Sequence, residues 1–271
     1  LNKNGLILVG LALVLGMGII RMRYLAVLTV TDSTLQPLLL PGDRILVRKL
    51  YLSPKNDPQD YIPYKNKILA FQHPFKTSGV ALLKVSATPG GQYQGILNGY
   101  PLTMQAPLAG DSLEFDFFDP LRMVWALGLA LQEFPDEKPR LSTTFLLDGI
   151  PKDLKSLAAN FNLNSTALDS LVNKQGSGSN LQLFIDHFRT LNPDNYLLAK
   201  RTLKAQQGEL AGIKVKNHYF ILTSPSPDPT WDSRHWGFLS QKYIYGLPIM
   251  VIWSTQPKGG FRWKRIFKAL T

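Results

Sequence analysis

The chain has 271 residues, of which 45% are apolar and 18% charged, a balance that gives a folded protein a real core and excludes a disordered polar segment. It contains no cysteine, which rules out a disulfide scaffold, a cysteine nucleophile and thiolate metal sites, and His73, His187, His218 and His235 are too scattered for metal ligation, so neither metal nor cofactor is expected. The net charge of +11 points to an anionic neighbour; with no helix-turn-helix, zinc-finger or RNA-recognition pattern, a lipid surface is expected rather than nucleic acid.

Gly5 to Ile20 runs without a charge, about 24 Å as a helix, between Lys3 and the pair Arg21 and Arg23. A cleaved signal peptide, a buried core helix and a membrane anchor compete for this segment. The anchor is preferred, because no small-x-small site follows the apolar run and no polar face interrupts it. The arginines beyond it oppose a cytoplasmic amino terminus under the positive-inside rule. Tyr24 to Val30 and the alternating Arg44 to Leu50 predict strands, as do Ile68 to Phe71 and Val80 to Val85, the last closed by a turn at Pro89-Gly90-Gly91. Asn98-Gly99 is a hairpin turn.

Residues 104–212 read differently. Asp119-Pro120 caps a helix through Leu131, with proline in the first turn, where its missing N–H is harmless. A second helical pattern runs from Asp153 to Phe161 and from Ser165 to Leu171, and Gly176 to Ser179 is a flexible loop. Ile213 to Leu222 and Tyr243 to Trp253 are long strands. Phe261 to Leu270 interleaves four cations with aromatic and aliphatic side chains, which fits either a membrane interface or a last element packed on the body. The expected organisation is an anchor over 1–23, a first part of a β body over 24–103, an insertion with helices over 104–212, and the second part of the β body with a basic aromatic end over 213–271.

Three blocks carry a resemblance. Thr34-Leu35-Gln36-Pro37-Leu38-Leu39-Leu40-Pro41-Gly42-Asp43 precedes an apolar strand, Leu83-Lys84-Val85 leads into Pro89-Gly90, and Asp232-Ser233-Arg234-His235-Trp236-Gly237 follows far downstream. In this order, after one apolar segment, they resemble type I signal peptidases, membrane-anchored serine/lysine proteases that remove signal peptides from exported proteins. The resemblance implies a mainly β, antiparallel signal-peptidase-like body with an N-terminal transmembrane helix and an α-containing insertion. It also implies placement on the cell (inner) membrane as a single-pass protein, with the bulk of the chain outside the cytoplasm.

Aligned to that family, Thr34 takes the nucleophile position, with Ser33 before it, and Leu83 takes the position of the lysine base, with Lys84 beside it. Asp32 stands where the family often has a serine that helps hold the oxyanion; an ionised carboxylate accepts hydrogen bonds and does not donate them. Strand neighbours point to opposite faces, so Lys84 replaces position 83 only through a bulge or a register shift. The resemblance makes Leu35, Pro37 and Val85 substrate-binding, and Gly42, Asp43, Asp232, Ser233 and Arg234 structural, the last with an Asp232–Arg234 ion pair. Two functions follow. One is a catalytically impaired homologue that binds an extended peptide, a preprotein segment or another membrane protein by strand addition; the other is an active peptidase with a shifted dyad of Ser33 or Thr34 with Lys84.

Overall fold

A computed structural model describes residues 23–51, 55, 57, 60–61, 64–75, 79–97, 100–116, 119–161, 178–206, 208–225, 232–256 and 259–270. The apolar run from Gly5 to Ile20 and the helical pattern from Ser165 to Leu171 lie outside the described residues. Among the described residues no helix is long and apolar enough to cross a membrane.

The elements in chain order are β1 (Leu25–Thr29), β2 (Asp43–Lys49), β3 (Ile68–Gln72), β4 (Val80–Ala87), β5 (Gln92–Leu97), β6 (Tyr100–Gln105), β7 (Ser112–Glu114) and α1 (Pro120–Glu133). They continue with β8 (Arg140–Leu147), β9 (Ile150–Lys152), α2 (Leu154–Asn160), α3 (Gly178–Leu191), β10 (Leu197–Ala205), β11 (Gly208–Leu210), β12 (Gly212–Lys214), β13 (Tyr219–Thr223), α4 (Ser233–Trp236), β14 (Leu239–Ser240) and β15 (Ile244–Ser254). The protein is mainly β, and every strand pairing described below is antiparallel. Its described residues divide into two compact units: the first takes in those up to Val85, 224–225 and those from Gln241 on, the second Ser86–Thr223 and 232–240.

In the first unit the strands pair in the order β1-β2-β15-β3-β4. β2 alternates as the sequence predicts, with Asp43, Ile45 and Val47 buried and Arg44 and Arg48 exposed. Its inward side chains join Val30, Leu35, Leu39, Ile68, Ala70 and Val251 in one apolar core. β15 contains Pro248, tolerated because β3 pairs with β15 only at Ile244 and Gly246, so the proline lies past that pairing. Register shifts between Pro248 and Met250 and between Val251 and Trp253 mark irregularities in its pairing with β2. The free edge this leaves is taken up by the arm 261–270: Phe267 donates its N–H to Val251 at 2.7 Å, Val251 to Lys268 at 2.9 Å and Leu270 to Ile249 at 2.9 Å. The arm's backbone packs on the body, as one of its two sequence readings has it, while Phe261, Trp263 and Phe267 remain exposed.

In the second unit α1 starts where the sequence places it. The Asp119 carboxylate accepts the N–H groups of Leu121 and Arg122 at 3.0 and 2.9 Å, satisfying two of the donors a helix start leaves open. Met123, Trp125, Ala126, Leu129 and Ala130 of α1 then pack against Leu102, Met104, Ile213, Val215 and Ile221.

Residues 104–212 contain the expected helices and, beside them, strands: β8 to β11 form a four-stranded sheet ordered β11-β10-β8-β9. β10 buries Leu197, Ala199, Arg201 and Leu203 at period two, and a charged residue on the inward face masks the alternation. Two other expectations for this region are corrected. The loop expected over 176–179 gives way to α3 at Gly178, because Leu181, Ile185 and Phe188 recur at helical spacing and bury one face against Phe145 and Leu197. The single strand expected over 213–222 splits into β12 and β13, since Asn217 turns its N–H to Glu133 Oε1 at 3.3 Å and Val215 bonds Asp111 instead.

Candidate functional site

The loop between β1 and β2 is built around two buried leucines. Leu35 and Leu39 sit in the core of the first unit, and Leu39 donates its N–H to Leu35 at 3.1 Å, so the backbone makes a helical turn between them. Ser33 and Pro37 are exposed, and Thr34 is half-buried. The Gln36–Pro37 peptide is cis. At the start of the loop the Asp32 carboxylate accepts the Thr34 N–H at 3.0 Å, the short-range side-chain turn that aspartate favours.

The loop ends at a buried charge. Asp43 is fully buried and accepts hydrogen bonds from the Leu40 N–H at 2.9 Å, the Ser254 hydroxyl at 2.5 Å and Arg265 Nη2 at 2.6 Å. Arg262 Nη1 stands 3.6 Å from the same carboxylate. Both guanidinium groups also hold the loop directly: Arg265 Nη2 donates to the Leu38 carbonyl at 2.8 Å and Arg262 Nη1 to that of Pro41 at 3.0 Å. Burial pushes the Asp43 carboxyl up, but the bonds from Arg265, Ser254 and Leu40 outweigh it and leave its pKa below the ordinary value. Gly42 turns the chain into β2 with φ of +90°, and a Cβ there would lie 2.3 Å from the Thr255 carbonyl oxygen, which makes glycine obligatory.

β4 supplies the other half of the predicted dyad. It pairs with β3 in unbroken register, Leu83 opposite Leu69 and Lys84 opposite Ile68. Residues opposite one another share a sheet face, so Lys84 lies on the face of Ile68, Ala70 and Leu82, the face whose core includes Leu35 and Leu39 of the loop. Leu83, buried, lies on the reverse face with Leu69. There is no bulge, and the side that the loop packs on belongs to position 84. Among the described residues Lys84 is not hydrogen-bonded to Ser33 or Thr34. Leu35 and Val85 are core residues, 2% and 0% exposed, which leaves Pro37 as the outward-facing position of the three expected to meet a peptide.

The downstream block lies in the second unit. Asp232 caps α4 through the Arg234 N–H at 3.0 Å and holds the Arg234 guanidinium with its nearest nitrogen at 2.7 Å, both side chains buried. This ion pair spans two residues and stiffens its own turn. Ties to the rest of the unit come from its neighbours: Ser233 Oγ accepts the Leu222 N–H at 2.9 Å, and Trp125 Nε1 donates to the Arg234 carbonyl at 3.2 Å. Gln132, buried in α1, completes the frame by donating to the Phe238 carbonyl at 2.7 Å and accepting the Ser240 N–H at 2.9 Å. Gly237 takes φ of +92°, and a Cβ on it would come within 3.0 Å of the Trp125 Cα. The block is therefore built to seat α4 against α1.

Sequence reasoning missed Ser254, Arg262 and Arg265. The two arginines belong to a segment whose alternation of cations and rings reads as interfacial, and nothing local signals a buried carboxylate more than two hundred residues upstream. It also missed the group at the end of α1, where Glu133 Oε1 accepts from the Tyr219 hydroxyl at 2.6 Å and from the Asn217 side chain at 3.0 Å.

No protein-family model matches the chain. Among curated proteins it is similar to Signal peptidase I of Buchnera aphidicola subsp. Baizongia pistaciae, with 23% identity over 244 residues, 86% of this chain and 71% of the relative. The chain is signal peptidase I-like in sequence, and the match extends well beyond the three motif blocks.

Proposed function

We propose that this signal peptidase I-like protein holds an extended peptide, a preprotein segment or part of another membrane protein at a membrane surface, with hydrolysis suppressed. The observation that carries this reading is the contact between Asp32 and Thr34. A main-chain N–H at the nucleophile position is the natural donor to an oxyanion, and here it is already bonded to a carboxylate at 3.0 Å. A negative charge placed there repels the oxygen that acquires charge in the transition state, and losing one such donor costs on the order of 100-fold in rate. Membrane attachment is supported by the uncharged run from Gly5 to Ile20 and by the exposed rings of Phe261, Trp263 and Phe267 beside Lys264 and Lys268, a composition suited to headgroup depth.

A second reading, an active peptidase using Thr34 or Ser33 with Lys84, is favoured by one observation: Lys84 shares the sheet face on which the loop packs. Purified full chain incubated with a preprotein separates the two. Suppressed hydrolysis predicts capture of the preprotein without a cleaved product, and slow cleavage on Asp32→Ser, which replaces the repelling carboxylate with a donor. Cleavage by the unaltered chain that Thr34→Ala or Lys84→Met abolishes would overturn the binding reading in favour of the active one.

A further inference from the structure

A cleft in the first unit lies where β2 ends and β15 begins, and it is lined from both. It has a volume of about 380 Å³ and contains Lys49, Tyr51, Gln241, Lys242, Tyr243 and Tyr245, with no carboxylate among the described residues that line it. The volume is within the usual range for small-molecule sites. Neither the peptide-binding reading nor the motif blocks use any of these residues.

Gln241 is the informative side chain. It is 1% exposed, and its Oε1 accepts the Tyr61 hydroxyl at 3.1 Å, which fixes the orientation of the amide. The Nε2 on the other side of that amide is buried and has no hydrogen-bond partner among the described residues. A buried amide donor without an acceptor is costly, and this one belongs to a cationic cleft. Lys49 Nζ lies 5.8 Å from the centre of the Tyr245 ring and Lys242 Nζ 5.2 Å from that of Tyr243, so each ammonium is steered by an aromatic face. Burial raises the Tyr243 phenol above its ordinary pKa, which keeps it an O–H donor.

We propose that this cleft binds a phosphate group, with the Gln241 amide as the deep donor and Lys49 and Lys242 as the charges at the mouth. A tetrahedral anion with several acceptor oxygens matches two ammonium groups, an amide N–H and the phenols of Tyr243 and Tyr245 better than a planar carboxylate, which has two oxygens. Tyr51 forms part of the wall, its own hydroxyl donating to the Arg23 carbonyl at 2.9 Å. That contact places the cleft beside Arg23, three residues past the end of the apolar N-terminal run, so a phospholipid headgroup and a free phosphate are the two sources of the same chemistry. The inference is independent of whether the protein cleaves peptides.

The test uses full-length protein in neutral detergent micelles and follows phosphorus-31 line width for two probes, inorganic phosphate and phosphatidic acid diluted in the micelle. Saturable broadening is expected, weakened at least about tenfold in Lys49→Gln/Lys242→Gln. Gln241→Glu, which keeps an acceptor for Tyr61 but replaces the inward donor with a carboxylate, is expected to weaken it as much; unchanged thermal unfolding of the lysine double variant shows that the fold is intact. Broadening of inorganic phosphate alone assigns a soluble ligand, and broadening of phosphatidic acid assigns a headgroup. No saturable broadening of either probe, or equal broadening in the lysine double variant, would overturn the proposal.

Discussion

Arg265 reaches back 222 residues along the chain to meet Asp43 at 2.6 Å, and through the Leu38 carbonyl it also grips the loop that carries the nucleophile position. The buried carboxylate and the loop thus share one brace. Removing a single partner of a buried ion pair strands the other charge and costs about 3–5 kcal/mol. Arg265→Ala is expected to lose stability on that scale in urea unfolding and to weaken peptide capture through the loop.

The same pair sets an acid limit. The folded-state pKa of Asp43 lies below its ordinary value of 3.8, so its contribution to stability is fully present above that value and disappears as the pH falls through the depressed one. Acid titration of the unaltered protein should show a loss of stability below pH 3.8 that is missing in Asp43→Asn, which is less stable at neutral pH. An identical acid profile for the two proteins would count against this brace.

Leu83→Lys restores the family pattern by alignment and makes a direct test of the strand register. Position 83 is buried opposite Leu69 on the face away from the loop, so the new ammonium would be buried on the side that Ser33 and Thr34 do not share. The expected result is a loss of several kcal/mol and no gain in preprotein cleavage. Cleavage appearing in this variant would mean that β4 presents its other face to the loop.

Gly42→Ala is expected to destabilise the protein by about 1–3 kcal/mol from the backbone conformation alone, and by more because its Cβ would meet the Thr255 carbonyl. Thermal unfolding checks the size, and loss of peptide capture ahead of global unfolding checks that the damage begins in the loop.

Ser233→Ala distinguishes framework from chemistry in the downstream block. Its hydroxyl accepts the Leu222 N–H inside the second unit, so its removal should cost about 1–3 kcal/mol by orphaning a buried donor. Peptide capture per folded molecule should not change. A selective loss of capture at full stability would give this serine a functional role.

The sequence made the strands of the first unit readable because each is bounded by turn residues and carries apolar side chains at period two or in short runs. The start of α1 was equally plain, since Asp119-Pro120 is a local signal and needs no tertiary context. β10 was not, because its inward face includes Arg201, fully buried with its pKa lowered to about 10 by burial, and a basic residue at an inward position looks like an interruption. α3 was hidden behind the Gly-Ser stretch that opens it. At the candidate site, motif alignment located the loop and β4. It placed weight on Leu83, whereas pairing with β3 turns Lys84 toward the loop's side, because a one-residue offset in a strand reverses every side chain. The bracing arginines were illegible for a different reason: a contact across more than two hundred residues leaves no periodic trace.

That long reach has a consequence during synthesis. At translation speeds of about 5–20 residues per second, the stretch separating Asp43 from Arg265 takes roughly 10–45 s to emerge. Throughout that interval the nascent loop has its leucines but lacks its clasp. A nascent chain halted before residue 262 would therefore carry this loop unfastened, so the loop's final setting waits on a segment made more than two hundred residues after it.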